Sequence, residues 1–72
     1  MSMNRRLLTD ADFQEALERE KKIRVFQDNA IIDMSSSIVR FDDDTVVTQS
    51  GVGDLMYHRR SECEFFELRR RS

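Results

Sequence analysis

The sequence predicts a mainly β protein of the α+β class, in which one N-terminal helix precedes a meander of short antiparallel strands. An amphipathic stripe lies near the start of the chain, and β-branched and aromatic residues dominate from Ile23 onward. Polar breaks of the kind that form turns interrupt this second part at intervals of about eight to twelve residues. These breaks fall at residues 28–29, 35–37, 42–44, 50–53 and 60–62.

The first predicted element is a helix that begins near Thr9. The hydroxyl of Thr9 can cap the helix, and Asp12 follows three residues later, as in a capping box. We expect the helix to end near Lys21 or Lys22, because cations are favourable at a helix C-terminus. Between these ends lies a narrow apolar stripe at helical spacing, formed by Phe13, Ala16 and Leu17.

The remaining elements are predicted to be strands. The clearest pair comprises residues 38–41 and 45–49. An acidic turn at residues 42–44 joins them, and its side chains can bond to their own backbone. Residues 55–59 and 63–68 follow as two more strands.

A second interpretation of the middle of the chain stays open at this point. Ile23, Phe26, Ala30 and Met34 also recur at helical spacing. A single long helix that reaches about Met34 therefore competes with a hairpin over the same residues.

The chain is predicted to form one domain at residues 9–69, with a flexible N-terminus at 1–8 and a basic tail at 70–72. A chain of 72 residues buries only about 60% of the surface that its unfolded form exposes, so its core is small. A single cysteine excludes an intrachain disulfide, which leaves self-association as the favoured extra source of stability. No apolar run is long enough to cross a bilayer and no secretory signal is present, so we expect a cytoplasmic protein.

Patterns for catalysis and cofactor binding are scarce, and we expect no enzyme, no cofactor and no metal. Gly51 and Gly53 lack the Lys-Ser/Thr pair of a phosphate-binding loop. The acidic turn lacks the alternating ligands of a calcium loop, and His58 with Cys63 gives too few soft ligands for zinc. The net charge of −2 argues against a general polyanion binder, although basic residues gather locally at 19–24 and 59–60.

The stretch Leu-Met-Tyr-His-Arg-Arg at residues 55–60 has the most informative composition. Strand alternation would place Tyr57 and Arg59 on one side and His58 and Arg60 on the other. Aromatic, imidazole and guanidinium planes can stack on unpaired bases, and arginine can also fork onto phosphate. An exposed basic strand end without any ligand explains the same composition, so both interpretations stay open.

The order of these elements, together with four segments, resembles the Sm-like family and within it the Hfq-like proteins. Residues 13–21 are similar to the end of the family's helix with its charged rim, and Val25 to Ile31 resembles the strand that enters an Asn-Gly turn. Arg-Phe-Asp-Asp-Asp-Thr-Val-Val at residues 40–47 resembles the family's Phe-Asp hairpin. Residues 55–60 lie where the family carries an aromatic-Lys-His motif.

This resemblance implies a five-stranded, strongly bent antiparallel sheet, the small barrel of SH3 type. It implies a homohexameric ring in which edge strands of neighbouring copies pair. It also implies single-stranded RNA as the partner and a role as an RNA chaperone in post-transcriptional regulation. RNA would then be bound on the pore side by Tyr57, His58, Arg59 and Arg60, at the rim by Arg19 and Lys21, and weakly on the opposite face by Asn29, Ile32 and Met34.

One turn and three residues depart from the family pattern, and the turn is the Asn-Gly pair, which becomes Asn29-Ala30 or Ala30-Ile31. Asp44 stands where the family usually has a base-stacking aromatic residue, and Asp10 stands where a Gln contacts RNA. Gln27 replaces an aromatic or apolar residue of the A-rich site. The added carboxylates repel phosphate, which favours an alternative: a small protein-interaction or regulatory module of similar fold that has lost RNA binding.

Overall fold

The computed structural model describes residues 5–68 of the chain. The expected basic tail at 70–72 lies outside the described residues, as do residues 1–4 of the expected flexible N-terminus. No helix in the described part has the length and apolar composition that a membrane crossing requires. The elements in chain order are β1 (Arg5–Leu7), α1 (Asp10–Glu18), β2 (Lys22–Gln27), β3 (Ala30–Phe41), β4 (Thr45–Gln49), β5 (Leu55–Arg59) and β6 (Glu64–Glu67).

The strands form one open antiparallel sheet in the order β1-β6-β2-β3-β4-β5. The α+β class with mainly β content is as predicted, but the sheet has six strands where five were expected. The additional strand is β1, which pairs along β6 with Leu7 opposite Phe65. Leu7 is buried. Residues 5–7 are thus a paired edge strand rather than a flexible terminus.

The helix begins where the cap signal predicts. The Thr9 hydroxyl accepts a hydrogen bond from the backbone N–H of Asp12 at 3.1 Å. The Asp12 carboxylate in turn accepts from the N–H groups of Leu8 at 2.9 Å and Thr9 at 3.1 Å. These backbone donors, that of Leu8 first, lower the pKa of Asp12 because they stabilise its charged form. The capping box is confirmed.

The helix is shorter than predicted. It ends at Glu18, and the expected end near Lys21 or Lys22 is wrong. Glu20 adopts a left-handed φ of 54°, a conformation that terminates helices. Because Lys22 already begins β2, the alternative of a single long helix is also wrong.

The β2–β3 hairpin turns at Asp28 and Asn29, the first break that the sequence predicts. Both residues have positive φ, 54° and 66°, and Gln27 pairs with Ala30 across them. A two-residue hairpin turn of this kind matches the twist of the strands, and Asn and Asp tolerate it better than most residues.

The long strand β3 connects the two halves of the sheet. It pairs first with β2 and then with β4, so that Ser37 has Lys22 on one side and Gln49 on the other. Register shifts interrupt both ladders, and such bulges bend a strand. The predicted break at 35–37 is wrong, because β3 continues through these residues; Ser36 is buried there and its hydroxyl donates to Asp33 at 2.7 Å.

The acidic turn between β3 and β4 is confirmed in the form predicted. The Asp42 carboxylate accepts hydrogen bonds from the N–H groups of Asp44 at 2.9 Å and Thr45 at 2.8 Å. These two bonds, that of Asp44 first, lower the pKa of Asp42. The side chain is therefore occupied in holding the turn, and β4 starts at Thr45.

The core lies between α1 and one face of the sheet. Phe13 is its centre: its ring lies 5.4 Å from that of Phe65 in an edge-to-face contact and 5.6 Å from that of Phe41. Ala16 is buried beside it and Leu17 packs against the cluster, as the predicted apolar stripe requires. The strands contribute Ile23, Val25, Ile38 and Val46, and Cys63 joins the cluster from the position just before β6, which begins at Glu64 and not at the predicted residue 63.

Candidate nucleic-acid interface

The strand β5 separates the residues of the predicted pore site onto two faces. Tyr57 and Arg59 point outward, with Tyr57 62% exposed and the Arg59 side chain 75% exposed. His58, between them, is 3% exposed and faces the interior. The alternation along β5 is as predicted, and it leaves Tyr57 and Arg59 accessible while His58 is enclosed.

His58 belongs to a buried polar cluster with Asp33, Ser36 and Thr48. The Asp33 carboxylate accepts hydrogen bonds from Ser36 at 2.7 Å and from Thr48 at 3.1 Å. Since the Thr48 hydroxyl donates its proton to Asp33, its oxygen accepts from Nε2–H of His58 at 3.0 Å. This chain of bonds gives His58 a structural role in the interior.

Burial determines the charge state of His58. Desolvation lowers its pKa, and the Asp33 carboxylate, 3.7 Å from Nε2, opposes that change only in part. The neutral ring therefore prevails at neutral pH. A buried neutral imidazole offers no cation to phosphate, so the predicted contact of His58 with RNA is not supported by its position.

Arg60 also points inward and connects three elements. Its guanidinium lies 4.5 Å from the ring centroid of Phe13 and forms a 2.7 Å ion pair with Asp10 on the helix. The same side chain donates to the backbone carbonyl of Asp42 at 2.8 Å. With 15% of the side chain exposed, Arg60 fixes the helix against the β3–β4 turn and is not free for a ligand.

Tyr57 instead faces a groove on the outer side of β3, β4 and β5. Cross-strand pairing aligns Arg40, Val47 and Tyr57 in one row, and Val47 forms the buried floor of the groove. The groove has a volume of about 320 Å³ and is also lined by Phe41, Asp42 and Thr45. An exposed phenol ring beside a guanidinium can stack on a base and pair with phosphate.

Arg40 was missed by the sequence interpretation. The hairpin between residues 38–41 and 45–49 was predicted, and its register with β5 would have placed Arg40 level with Tyr57. The pairs nearest the turn, Phe41 with Val46 and Arg40 with Val47, fix this alignment, and the bulge between Ile38 and Arg40 lies beyond them. Asp42 borders the same groove and stays ionised at neutral pH, because its pKa is lowered.

A second groove extends from the other side of Tyr57. It has a volume of about 370 Å³ and brings Ile32, expected on the opposite face, together with Tyr57 and Arg59. Met34 is 64% exposed further along β3, and Asn29 lies in the β2–β3 turn. Neither residue lines this groove.

The predicted rim residues lie together in a separate cleft of about 420 Å³. Arg19 forms a 3.4 Å ion pair with Glu15, and Lys21 forms a 3.6 Å ion pair with Glu67. Lys22, which was not among the predicted rim residues, lines the same cleft. The Arg19–Glu15 pair is exposed and therefore weak, so Arg19 can exchange its carboxylate for another anion at little cost, whereas the Glu67 partner of Lys21 is mostly buried.

Protein-family models, curated proteins and solved structures gave no match to the chain.

The described residues contain no group of three or more His, Cys, Asp or Glu side chains positioned to hold an ion. In the acidic turn, the Asp42 carboxylate already accepts two backbone hydrogen bonds. Burial raises the pKa of the Cys63 thiol, with lesser contributions from Glu62 and Asp28, so the thiol form prevails.

Proposed function

We propose that this chain binds single-stranded RNA through the groove beside Tyr57, with Arg40 and Arg59 as the cationic contacts. The observation that carries the proposal is the exposed Tyr57 ring, aligned with Arg40 across Val47. Duplex RNA hides its base edges, whereas an unpaired base can lie flat on an aromatic ring. The ligand class is therefore single-stranded.

Each contact residue has a distinct task in this proposal, and Arg59 acts from the adjoining groove on the other side of Tyr57. The Tyr57 ring stacks on a base, a contact worth about 1–3 kcal/mol per base. Arg59 and Arg40 neutralise the flanking phosphates and supply the dependence on salt. The Asp42 carboxylate at the border of the groove repels phosphate. We therefore expect weak binding to a short stretch of nucleotides.

The proposal extends to the Sm-like fold, to an Hfq-like role as an RNA chaperone and to self-association. A short helix followed by an antiparallel meander supports the fold. Self-association is supported by β5, which ends the sheet and exposes Leu55, Met56 and Tyr57 along its open edge. Unpaired edges with apolar side chains tend to pair with another chain. A hexameric ring needs a second free edge, and the short strand β1 is the outer strand on the opposite side of the sheet.

Binding is tested with labelled U-rich and A-rich oligonucleotides at two salt concentrations, by fluorescence anisotropy. We expect Tyr57→Leu and Arg40→Gln each to weaken binding about tenfold, because each removes one contact to the nucleotide. Val52→Ser is the matched control, because Val52 is 86% exposed in the β4–β5 loop and lies outside the groove. No binding by the wild-type chain at low salt would refute the proposal.

A second candidate, a protein-interaction module, is favoured by the apolar edge of β5. Met56→Lys places a charge on this edge, and Val52→Lys places the same charge in the nearby loop as the control. If the edge joins copies of the chain, sedimentation will show at least about tenfold weaker association for Met56→Lys alone. A wild-type chain that stays monomeric at high concentration would exclude self-association.

A further inference from the structure

A second aromatic and basic surface lies on the outer face of β1, β6 and β2. Phe66 on β6 has Arg6 of β1 as its cross-strand partner on one side and Arg24 of β2 on the other. The two arginines are two strand spacings apart, about 10 Å, which leaves room for one planar group over the ring between them. This arrangement exists only because β1 pairs with β6.

The ring of Phe66 is fixed in place by a second aromatic residue. Phe26 contacts it edge to face, with ring centroids 5.4 Å apart and planes at 82°. The two rings, together with Asn29 and Glu64, line a cleft of about 320 Å³. A half-buried, supported ring is a better stacking platform than a mobile one, because less side-chain entropy is lost on binding.

The charges on this face are mostly positive. The guanidinium of Arg24 donates a hydrogen bond from Nε to the backbone carbonyl of Met34 at 3.4 Å. Its two terminal nitrogens remain available to a ligand. Arg6 has a 4.0 Å ion pair with Glu64, and both side chains are about half exposed, so the pair is weak. Lys22 lies on the same side of β2, where its ammonium donates to Ser37 at 3.3 Å.

We infer that Phe66, Arg6 and Arg24 form a second contact for single-stranded RNA, distinct from the groove at Tyr57. A base stacks on Phe66, and the two guanidinium groups take the phosphates on either side of it. Glu64 opposes the phosphates and limits affinity. The ligand class rests on the proposed function, whereas the position of the contact rests on β1, β6 and β2 alone.

The experiment follows backbone amide signals of the full chain by NMR while U-rich and A-rich decanucleotides are added. We expect shifts at Arg6, Arg24 and Phe66 as well as around Tyr57. Shifts confined to the Tyr57 groove would overturn this inference and leave the proposed function intact. Shifts confined to the Phe66 face would support this inference and overturn the site at Tyr57.

Variants then test which residues carry the contact. We expect Phe66→Leu, which keeps an apolar side chain, and Arg24→Gln each to weaken binding at this face about fivefold. Glu64→Gln should strengthen it about twofold, because a carboxylate next to the phosphates is removed. Val52→Ser is the control, since Val52 is exposed in the β4–β5 loop outside both contacts and its substitution should leave the shifts at Phe66 unchanged.

Two further results complete the test. If Phe66→Leu fails to fold, as judged by its amide spectrum, Arg24→Gln and Glu64→Gln decide the question, because both are polar substitutions outside the core that leave the core unchanged. A poly-glutamate peptide is titrated in parallel as an anionic ligand without bases. Shifts at Phe66 with this peptide and none with RNA would overturn the inference.

Discussion

The guanidinium of Arg60 lies 4.5 Å from the ring centroid of Phe13 while its Nη2 is 2.7 Å from the Asp10 carboxylate. One side chain from the end of β5 thereby contacts both the centre of the core and the first residue of the helix. Its neighbour Arg59 is exposed and has only a surface ion pair with Glu62 at 3.3 Å. Two adjacent arginines therefore serve different purposes, one structural and one open to a ligand.

We expect Arg60→Gln to lower the free energy of unfolding by about 2 kcal/mol, since it removes a partly buried cation–π contact and an ion pair. Arg59→Gln is the matched control and should change stability by less than about 0.5 kcal/mol. Urea unfolding followed by circular dichroism measures both. Equal losses for the two variants would contradict the distinction drawn here.

The buried His58 predicts how stability depends on pH. Its pKa is lowered in the folded state by desolvation, so below about pH 6.5, the ordinary value, the unfolded chain binds more protons than the folded one. Stability is thus complete above about pH 6.5 and falls as the pH decreases toward the folded pKa, by at most about 1.4 kcal/mol per pH unit.

His58→Gln provides the control for this dependence, because the amide can still donate to Thr48 but does not titrate. Urea unfolding between pH 7.5 and pH 5 should show a slope for the wild type and a flatter profile for the variant. Asp12 and Asp42 also have lowered pKa values, but their loss falls below about pH 4, outside this window. An unchanged slope in the variant would assign the effect to another group.

The turn at Asp28 and Asn29 predicts a difference between two substitutions at one position. Asn29 has a φ of 66°, so Asn29→Ala should cost about 1 kcal/mol of stability, because a β-carbon without a polar group disfavours this region. Asn29→Gly should cost nothing or stabilise the hairpin. Thermal unfolding of both variants decides; a loss with glycine as large as that with alanine would show that the side chain, and not the backbone, matters.

The edge strand β1 depends on Arg5, whose guanidinium contacts Glu15 at 3.0 Å and Asp12 and Glu67 at 3.5 Å. The hydrogen bond to Glu15 is the main reason that the pKa of Arg5 is raised. We expect Arg5→Gln to speed hydrogen exchange of the β1–β6 ladder. Arg6→Gln, which loses a single 4.0 Å ion pair, should leave that exchange unchanged. Similar protection in both variants would show that the burial of Leu7 alone holds the strand.

Much of the fold could be predicted because its signals are local. The Thr9 cap, the turn at residues 28–29 and the acidic turn before Thr45 each depend on residues within a few positions of one another. β5 was predicted with its bounds for the same reason. In each case short side chains satisfy nearby backbone groups, and this chemistry can be read from the sequence.

β1 could not be predicted in this way. Three residues, Arg-Arg-Leu, have no alternation or turn signal, and they become a strand only because β6, at the other end of the described chain, offers an edge. The exact end of the helix was missed as well. The left-handed conformation of Glu20 depends on where β2 begins, and helix propensity does not predict it.

By itself, the sequence determined the class of fold, the positions of most turns, and which residues of β5 alternate. Only the tertiary structure decided which face of β5 is buried, since this depends on which residues of β3, β4 and the helix pack against that face. In the folded chain, His58 is buried with Asp33 and Thr48. The guanidinium of Arg60 lies over the ring of Phe13, and Arg40 is aligned with Tyr57. The physical reason is that burial and charge pairing arise between residues distant in the chain, whereas caps and turns arise between neighbours.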